Sequence, residues 1–216
     1  MLHKAIPDPL ASFLGELKNL LLPEGTYLAG GTAVALYLGH RVSVDIDLFT
    51  EKEFYCGPLI SEIGQKYTIE VTNPAEKNNL AANVDGIKFS LFSYPYPLLE
   101  PFNLNPDFKI NMASLMDIAA MKVIAIAQRG AAKDFVDLKA IITNNHISLD
   151  YLVSLVHRKY KVSEDYGYQL KKSLVYFEDA QKSLGDVMVI KAGKPIRMSQ
   201  FEWGKVEEFF KRFVLL

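Results

Sequence analysis

The chain has 216 residues, half of them hydrophobic and 12% aromatic, which is ample for a buried core in one domain or two small lobes and excludes an intrinsically disordered polypeptide. Lysine plus arginine number 24 against 25 aspartate plus glutamate, a formal net charge of −1, so no global basic charge advertises nucleic-acid binding. The single cysteine, Cys56, rules out an internal disulfide and a multi-cysteine zinc site.

The charge is unevenly spread. Residues 1–150 carry 12 basic and 17 acidic side chains, whereas residues 151–216 carry 12 and 8. A basic C-terminal part beside an acidic N-terminal part suits the phosphates of a nucleotide or an RNA. No apolar run approaches the roughly 18 residues that span a bilayer. The opening MLHKAIPDPLASFLGELKNLL lacks the basic start and long apolar segment of a leader. A cytoplasmic location with no membrane partner is therefore expected.

In chain order, Leu10, Phe13, Leu14, Leu17, Leu20 and Leu21 recur at helical spacing, predicting a packing helix over 10–22 that Pro23 and Gly25 end. The stretch over 27–49, YLAGGTAVALYLGHRVSVDIDLF, then reads as a strand end, a glycine turn at Gly30-Gly31-Thr32, a short helix, a turn at Gly39 and a second strand. Side chains two apart on a strand share a face, so Asp45 and Asp47 point the same way, and Val44, Ile46 and Leu48 point into the core. Two adjacent carboxylates repel, and a hard divalent cation with oxygen ligands relieves that repulsion most directly; magnesium fits. Gly30 and Gly31 carry no Cβ, which lets backbone N–H groups approach a ligand, and the N-terminus of the following helix favours negative charge. Thr32 adds a hydroxyl. His40 reads as a turn residue.

A connection and helix over 51–67 lead to three strand-like segments over 67–72, 80–84 and 86–94, separated by turn signals at Asn73-Pro74 and Asp85-Gly86. Pro95, Pro97, Pro101 and Pro106 make 94–110 a stiff extended connection. Ser114 with Asp117 opens a helix running to Gln128 that is apolar nearly all round. Its exception is Lys122, whose amine must reach an anion or snorkel to water. Arg129 follows two turns on, Gly130 stops the helix, and a second helix begins near Lys133 with Asp134 and Asp137 on one face. Helical patterns then cover 149–160, 166–180 and 200–213, with a loop at Gly193-Lys194-Pro195. Arg158, Lys159, Lys161, Lys171, Lys172, Lys191, Lys194 and Arg197 are either solvated helix faces or contacts for an acceptor nucleic acid. Tyr166, Tyr168, Tyr176, Phe177 and Phe209 read as core residues, and His146 and His157 show no metal spacing.

The order Ala29-Gly30-Gly31-Thr32, then Asp45-Ile46-Asp47, resembles the nucleotidyltransferase superfamily that includes DNA polymerase β. More narrowly the chain is similar to the AbiEii/AbiGii family of bacterial nucleotidyltransferase toxins. Over 114–138 the matching positions are Lys122 with Ala125, Arg129, Lys133-Asp134 and Asp137-Leu138. The resemblance covers about residues 25–142. It implies an α/β (α+β) fold of the polymerase β-like kind, with a small mixed sheet of four or five strands, a catalytic lobe over 1–106 and a helical lobe over 107–216 that completes the active site.

It also implies a nucleoside triphosphate substrate and Mg²⁺ held by Asp45 and Asp47. Gly30, Gly31, Thr32 and Ser43 would lie on the nucleotide, and Lys122 with Arg129 on its triphosphate. Asp137 would be an active-site acid or base, with Asp134 in the site, pinning Arg129 or capping the helix. Members of the superfamily place a third catalytic acid on a strand such as 86–94, but here Ser90 stands in that place, leaving Glu70 on a neighbouring strand as the substitute to examine. The implied acceptor is a hydroxyl of a tRNA 3′ end or of a protein, and the implied role is the toxin of a toxin–antitoxin pair with a cognate antitoxin as partner. Two other readings stay open: a relative that binds nucleotide or a partner without catalysis, and an aminoglycoside-type adenylyltransferase.

Overall fold

The structure, a computed structural model, describes residues 5–163 and 165–215; Met1 to Lys4, part of the segment read for a leader, lie outside them. α1 (Asp8–Glu16) carries proline in its first turn, where a missing N–H costs nothing, and tightens into a 3-10 turn over Leu17–Asn19. The chain is extended at Leu20, so the helical face predicted to run to residue 22 stops earlier. Leu10, Phe13, Leu14 and Leu17 are buried, and the Phe13 ring meets Tyr67 and Phe89 edge-on at 5.0 and 5.8 Å.

Next come β1 (Tyr27–Leu28), α2 (Gly30–Leu38), β2 (Asp45–Thr50), α3 (Cys56–Ile63), β3 (Ile69–Val71), β4 (Asn79–Val84) and β5 (Ile87–Ser93). Two short strands, β6 (Asn103–Leu104) and β7 (Asn111–Met112), complete a seven-stranded sheet in the order β3-β4-β5-β2-β1-β7-β6. β2 runs parallel to β5 and β1 parallel to β7, and the other pairs are antiparallel, so the sheet is mixed. It is larger than the four or five strands expected, because β6 and β7, two residues each, are too short to carry an alternating signature. The sheet also continues to Met112, past the lobe boundary drawn at residue 106. The β4–β5 hairpin turns at Asp85 and Gly86, with φ of 47° and 86°, the left-handed pair that a tight two-residue connection requires.

α4 (Leu115–Arg129) is capped by the Ser114 hydroxyl, which accepts from the Asp117 N–H at 3.0 Å. It packs on α5 (Ala132–Asn145) and α6 (Leu149–Tyr160), with Ile118, Ala119, Ala120, Val123 and Ile126 buried. The pattern over 166–180 resolves into two helices, α7 (Tyr166–Ser173) and α8 (Glu178–Ser183), leaving Tyr168 and Tyr176 exposed rather than in the core. The expected loop at 193–195 is the turn of a hairpin, β8 (Met188–Lys191) with β9 (Lys194–Arg197), and Ala192 and Gly193 supply its positive φ angles. α9 (Gln200–Leu215) closes the chain, placing Trp203 and Phe210 against Phe135 of α5.

Lys159, one of the candidate nucleic-acid contacts, is fully buried instead. Its ammonium donates to Asp117 Oδ1 at 2.8 Å and to the Pro97 carbonyl at 3.0 Å, tying α6 to the start of α4 and to the proline-rich connection. Removing one partner of a buried pair leaves an uncompensated charge. Lys159→Met is therefore expected to destabilise the fold by about 3–5 kcal/mol, read as a lower urea midpoint, while leaving the cleft residues described below in place.

A cleft with two carboxylates and a clamped lysine

β2 begins at Asp45, and its alternation of half-buried and buried residues puts Asp45 and Asp47 on one face with Ile46 and Leu48 on the other. Val44 precedes the strand and is exposed, not in the core as the alternation suggested. In the parallel pairing with β5, Ser90 lies opposite Asp47, and its hydroxyl donates to Asp47 Oδ1 at 2.7 Å. Glu70 is on β3, three strands from β2 and exposed, roughly 14 Å away at ordinary strand spacing, so it supplies no third carboxylate here. Among the described residues no group of three or more histidine, cysteine, aspartate or glutamate side chains could hold a metal.

Gly30 opens α2 with φ +66°, and a Cβ there would lie 2.6 Å from Asp47 Oδ2. At Gly31 a Cβ would lie 2.1 Å from Arg41 Nη2. Only a bare backbone fits between the acidic strand and the arginine behind it. The residue before the helix, Ala29, offers no side-chain cap, so the first N–H groups of α2 are not taken by a capping side chain. Thr32 is buried and its Oγ1 bonds the Asp45 carbonyl and Ser43 Oγ, which joins helix to strand. Thr32 thus braces the turn, and Ser43, Gly30 and Gly31 line the cavity beside it.

The second wall comes from α4 and α5. Gly130, with φ +56°, caps α4 in the left-handed region and lets α5 fold back so that Asp134 and Asp137, one turn apart, face Lys122 and Arg129. The Lys122 ammonium donates to Asp134 Oδ1 at 2.9 Å and pairs with Asp137 Oδ2 at 2.6 Å. Arg129 donates Nε and Nη2 to Asp134 at 2.8 and 3.0 Å. Asp137 also receives Arg41 Nε at 2.6 Å and Nη2 at 2.9 Å, and His40 Nε2 lies 2.8 Å from its Oδ1. His40 is therefore more than a turn residue, and neither it nor Arg41 is flagged by any spacing in the sequence.

Burial alone would raise the carboxyl pKa of Asp137, but the charges of Arg41 and Lys122 and the bonds from His40 and Arg41 outweigh it and hold it well below the usual carboxylate range. Asp134 is likewise lowered, burial being overcome by Lys122 and Arg129. The Lys122 ammonium is held charged in turn: burial opposes it, and Asp137 and Asp134 more than offset that.

The two walls enclose a cavity of about 260 Å³. Asp45, Asp47, Gly30 and Gly31 face Lys122, Arg129, Lys133 and Asp134 across it, and Phe49, Phe92 and Tyr94 form an aromatic end. Lys133, at the start of α5, reaches across to Asp45 Oδ2 at 3.0 Å. Asp137 and Thr32 do not line the cavity; Asp137 is fully buried against Lys122 and Arg41. Of the basic groups, Arg41 has Nε, Nη1 and Nη2 all engaged, Nη1 on the Val42 carbonyl at 2.8 Å. Lys122, with three N–H donors, uses two of them on the aspartates.

The sequence matches the model of the family described as nucleotidyl transferase AbiEii toxin, type IV toxin–antitoxin system, over residues 12–87 and 68–187. The chain belongs to the AbiEii family. A curated relative, the uncharacterized protein aq_aa25 of Aquifex aeolicus (strain VF5), is 42% identical over 203 residues, 93% of this chain and 92% of that protein. Among solved structures the fold is similar to MenT4, nucleotidyltransferase toxin Rv2826c from Mycobacterium tuberculosis H37Rv, with a TM-score of 0.60 at 14% identity over 95% of this chain and 84% of that one. JHP933 from Helicobacter pylori follows with a TM-score of 0.50, 17% identity and coverage of 94% and 89%. This AbiEii protein is thus a nucleotidyltransferase with a mixed α/β fold of the polymerase β-like kind. No helix among its described residues is long and apolar enough to cross a membrane.

The clamp predicts a pH signature. Because the folded pKa of Asp137 is depressed, its stabilising contribution is complete above the unfolded carboxylate value of about 4 and is lost as pH falls through the lower folded value. Urea midpoints of the wild-type AbiEii protein are expected to drop as pH goes below about 4, and Asp137→Asn, with no proton to take up, to show a flatter acid limb. At the other wall, Gly30→Ala is expected to lower the urea midpoint, since its Cβ would lie 2.6 Å from Asp47 Oδ2 at a φ of +66°.

Proposed function

We propose that this AbiEii protein transfers a nucleoside monophosphate from a nucleoside triphosphate to an acceptor hydroxyl, with a divalent cation, and that it acts in the cytoplasm as the toxin of a pair with a cognate antitoxin. The observation that carries the reading is the convergence on one cavity of a carboxylate pair, a bare helix N-terminus and a clamped ammonium. The catalytic contribution of residues 1–106 and the helical contribution of residues 107–216 meet at that cavity in this reading.

The donor set suits magnesium. Two carboxylates share a face, and magnesium is commonly bound by one or two carboxylates while substrate phosphates and waters fill its remaining positions. Asp45 and Asp47 would hold it, and when bound it would supply charge neutralisation and orientation of the phosphates. The chain's own residues do the rest. The N–H groups at Gly30 and Gly31 receive phosphate oxygens at the positive end of α2. Lys122, held by Asp134 and Asp137, offers its remaining donor to the leaving pyrophosphate, and Arg129 adds a second cation at the mouth of the cleft. Ser90 fixes Asp47 in one rotamer. The sealed position of Asp137 supports a positioning role for it, holding Lys122 and Arg41, rather than contact with the acceptor.

Ser90 in place of a third carboxylate favours one other reading, nucleotide binding without transfer. One assay separates them. The protein is incubated with each radiolabelled nucleoside triphosphate, Mg²⁺ and either total tRNA or cell protein. Label is expected on one acceptor class, falling by about 10²–10³-fold in Asp45→Ala and Lys122→Ala, magnitudes typical of removing a group that stabilises developing charge. Asp47→Asn is expected to lose metal-dependent nucleotide binding with its thermal unfolding unchanged. Tight nucleotide binding with no label on any acceptor supports the non-catalytic reading instead.

A further inference from the structure

The oxygens of the carboxylate pair are not equivalent, and their partners bear on how many cations the cleft can take. Asp47 Oδ1 accepts from Ser90 Oγ at 2.7 Å, and Asp45 Oδ2 accepts from Lys133 Nζ at 3.0 Å. One oxygen of each carboxylate remains, Asp45 Oδ1 and Asp47 Oδ2, with no hydrogen bond from any described residue. Asp47 Oδ2 lies against Gly30, where a Cβ would come within 2.6 Å of it.

We propose that this cleft is built for a single divalent cation, which Asp45 and Asp47 would hold, and that the Lys133 ammonium, bonded to Asp45, takes the place of a second. The inference rests on the metal-dependent reading above and goes beyond it in number and in residue. A pair of cations about 3.5–4 Å apart places two divalent charges in one small site, and each needs its own anionic oxygen ligands. Here Asp45 already has one oxygen on an ammonium, and the residue opposite Asp47 is a hydroxyl that donates rather than a carboxylate.

Lys133 holds that position because of its neighbour. Asp134 is fully buried and pinned by Lys122 and Arg129, which fixes the rotation of α5. The preceding residue, about 100° round the helix, is directed to the opposite wall. Its side chain is 42% exposed, and two of its three N–H donors remain for a phosphate or an acceptor oxygen. A fixed monovalent charge there would assist phosphoryl transfer without demanding a third acid.

The test counts cations rather than turnover. The full chain is titrated with Mn²⁺ in the presence of a non-hydrolysable nucleoside triphosphate analogue, and bound manganese is followed by equilibrium dialysis and electron paramagnetic resonance. The expected result is one Mn²⁺ per chain with a mononuclear spectrum. Two Mn²⁺ with a spin-coupled spectrum overturn the proposal while leaving metal-dependent transfer intact; no bound Mn²⁺ overturns both it and the reading beneath it. The double variant Ser90→Asp with Lys133→Met returns a carboxylate and removes the ammonium, and is expected to bind two coupled Mn²⁺. A folded double variant that stays mononuclear contradicts the part given to Ser90 and Lys133. Arg129→Met, which removes a cation from the same cleft without touching Asp45, is expected to stay mononuclear and serves as the charge control; a coupled pair there contradicts the assignment to Lys133.

Discussion

The structure depends on one buried interaction, the Lys122 ammonium between the carboxylates of Asp134 and Asp137. Taking three charges out of water is costly, and a hydrophobic trio of similar volume would often be as stable or more so. Such a cluster is poorly explained as a device for stability. It is better explained by what it holds: an ammonium kept charged, fixed in position and facing two further carboxylates across a small cavity. Under the proposed function, neutralising the lysine or freeing it to move would forfeit the preorganisation on which electrostatic catalysis rests.

The clamp also organises its surroundings. Asp137 draws in Arg41 and His40, and the loop they sit on is pinned from the far side by the β8–β9 hairpin, where Val42 N–H meets the Met188 carbonyl at 2.7 Å and Ile190 N–H meets the His40 carbonyl at 2.9 Å. Arg41 Nη2 in turn leaves no room for a Cβ at Gly31, and Asp47 leaves none at Gly30. The glycine pair is therefore required by side chains packed against it from two directions. The C-terminal hairpin, remote in sequence, contributes to the active cleft by bracing the segment that connects its two motifs.

Much of this was legible in the sequence because it is local. Gly30-Gly31 ahead of Asp45-Ile46-Asp47 shows the turn and the acidic strand at once, and the strand period puts both acids on one face. Ser90 stood out only as the residue in the place where the resemblance puts a third acid, and its position opposite Asp47 comes from the pairing of β2 with β5; Ser114, Gly130 and the 149–160 pattern marked helix ends within a residue or two. Lys122 stood out as a charge on an apolar helix. What could not be read were pairings that only the fold creates. Arg41 and His40 meet Asp137 across nearly a hundred residues, and Lys159 meets Asp117 across about forty. A lysine on a patterned helix looks the same whether its face meets solvent or a buried aspartate. Strands of two residues carry no period, so β6 and β7 leave no mark in the sequence, and nothing in the spacing of Asp134 and Asp137 reveals that Asp137 is fully buried.

The central claim is that the clamped ammonium of Lys122 meets the substrate's phosphates. It is tested most directly by heteronuclear magnetic resonance of ¹⁵N-lysine-labelled protein, with the Lys122 ammonium assigned by its loss in Lys122→Met. On addition of Mg²⁺ and a non-hydrolysable nucleoside triphosphate analogue, that signal should shift and its protons should become more protected from exchange, while the corresponding nucleoside leaves it unmoved. A Lys122 signal unchanged at saturating nucleotide would place the phosphates elsewhere and contradict the account.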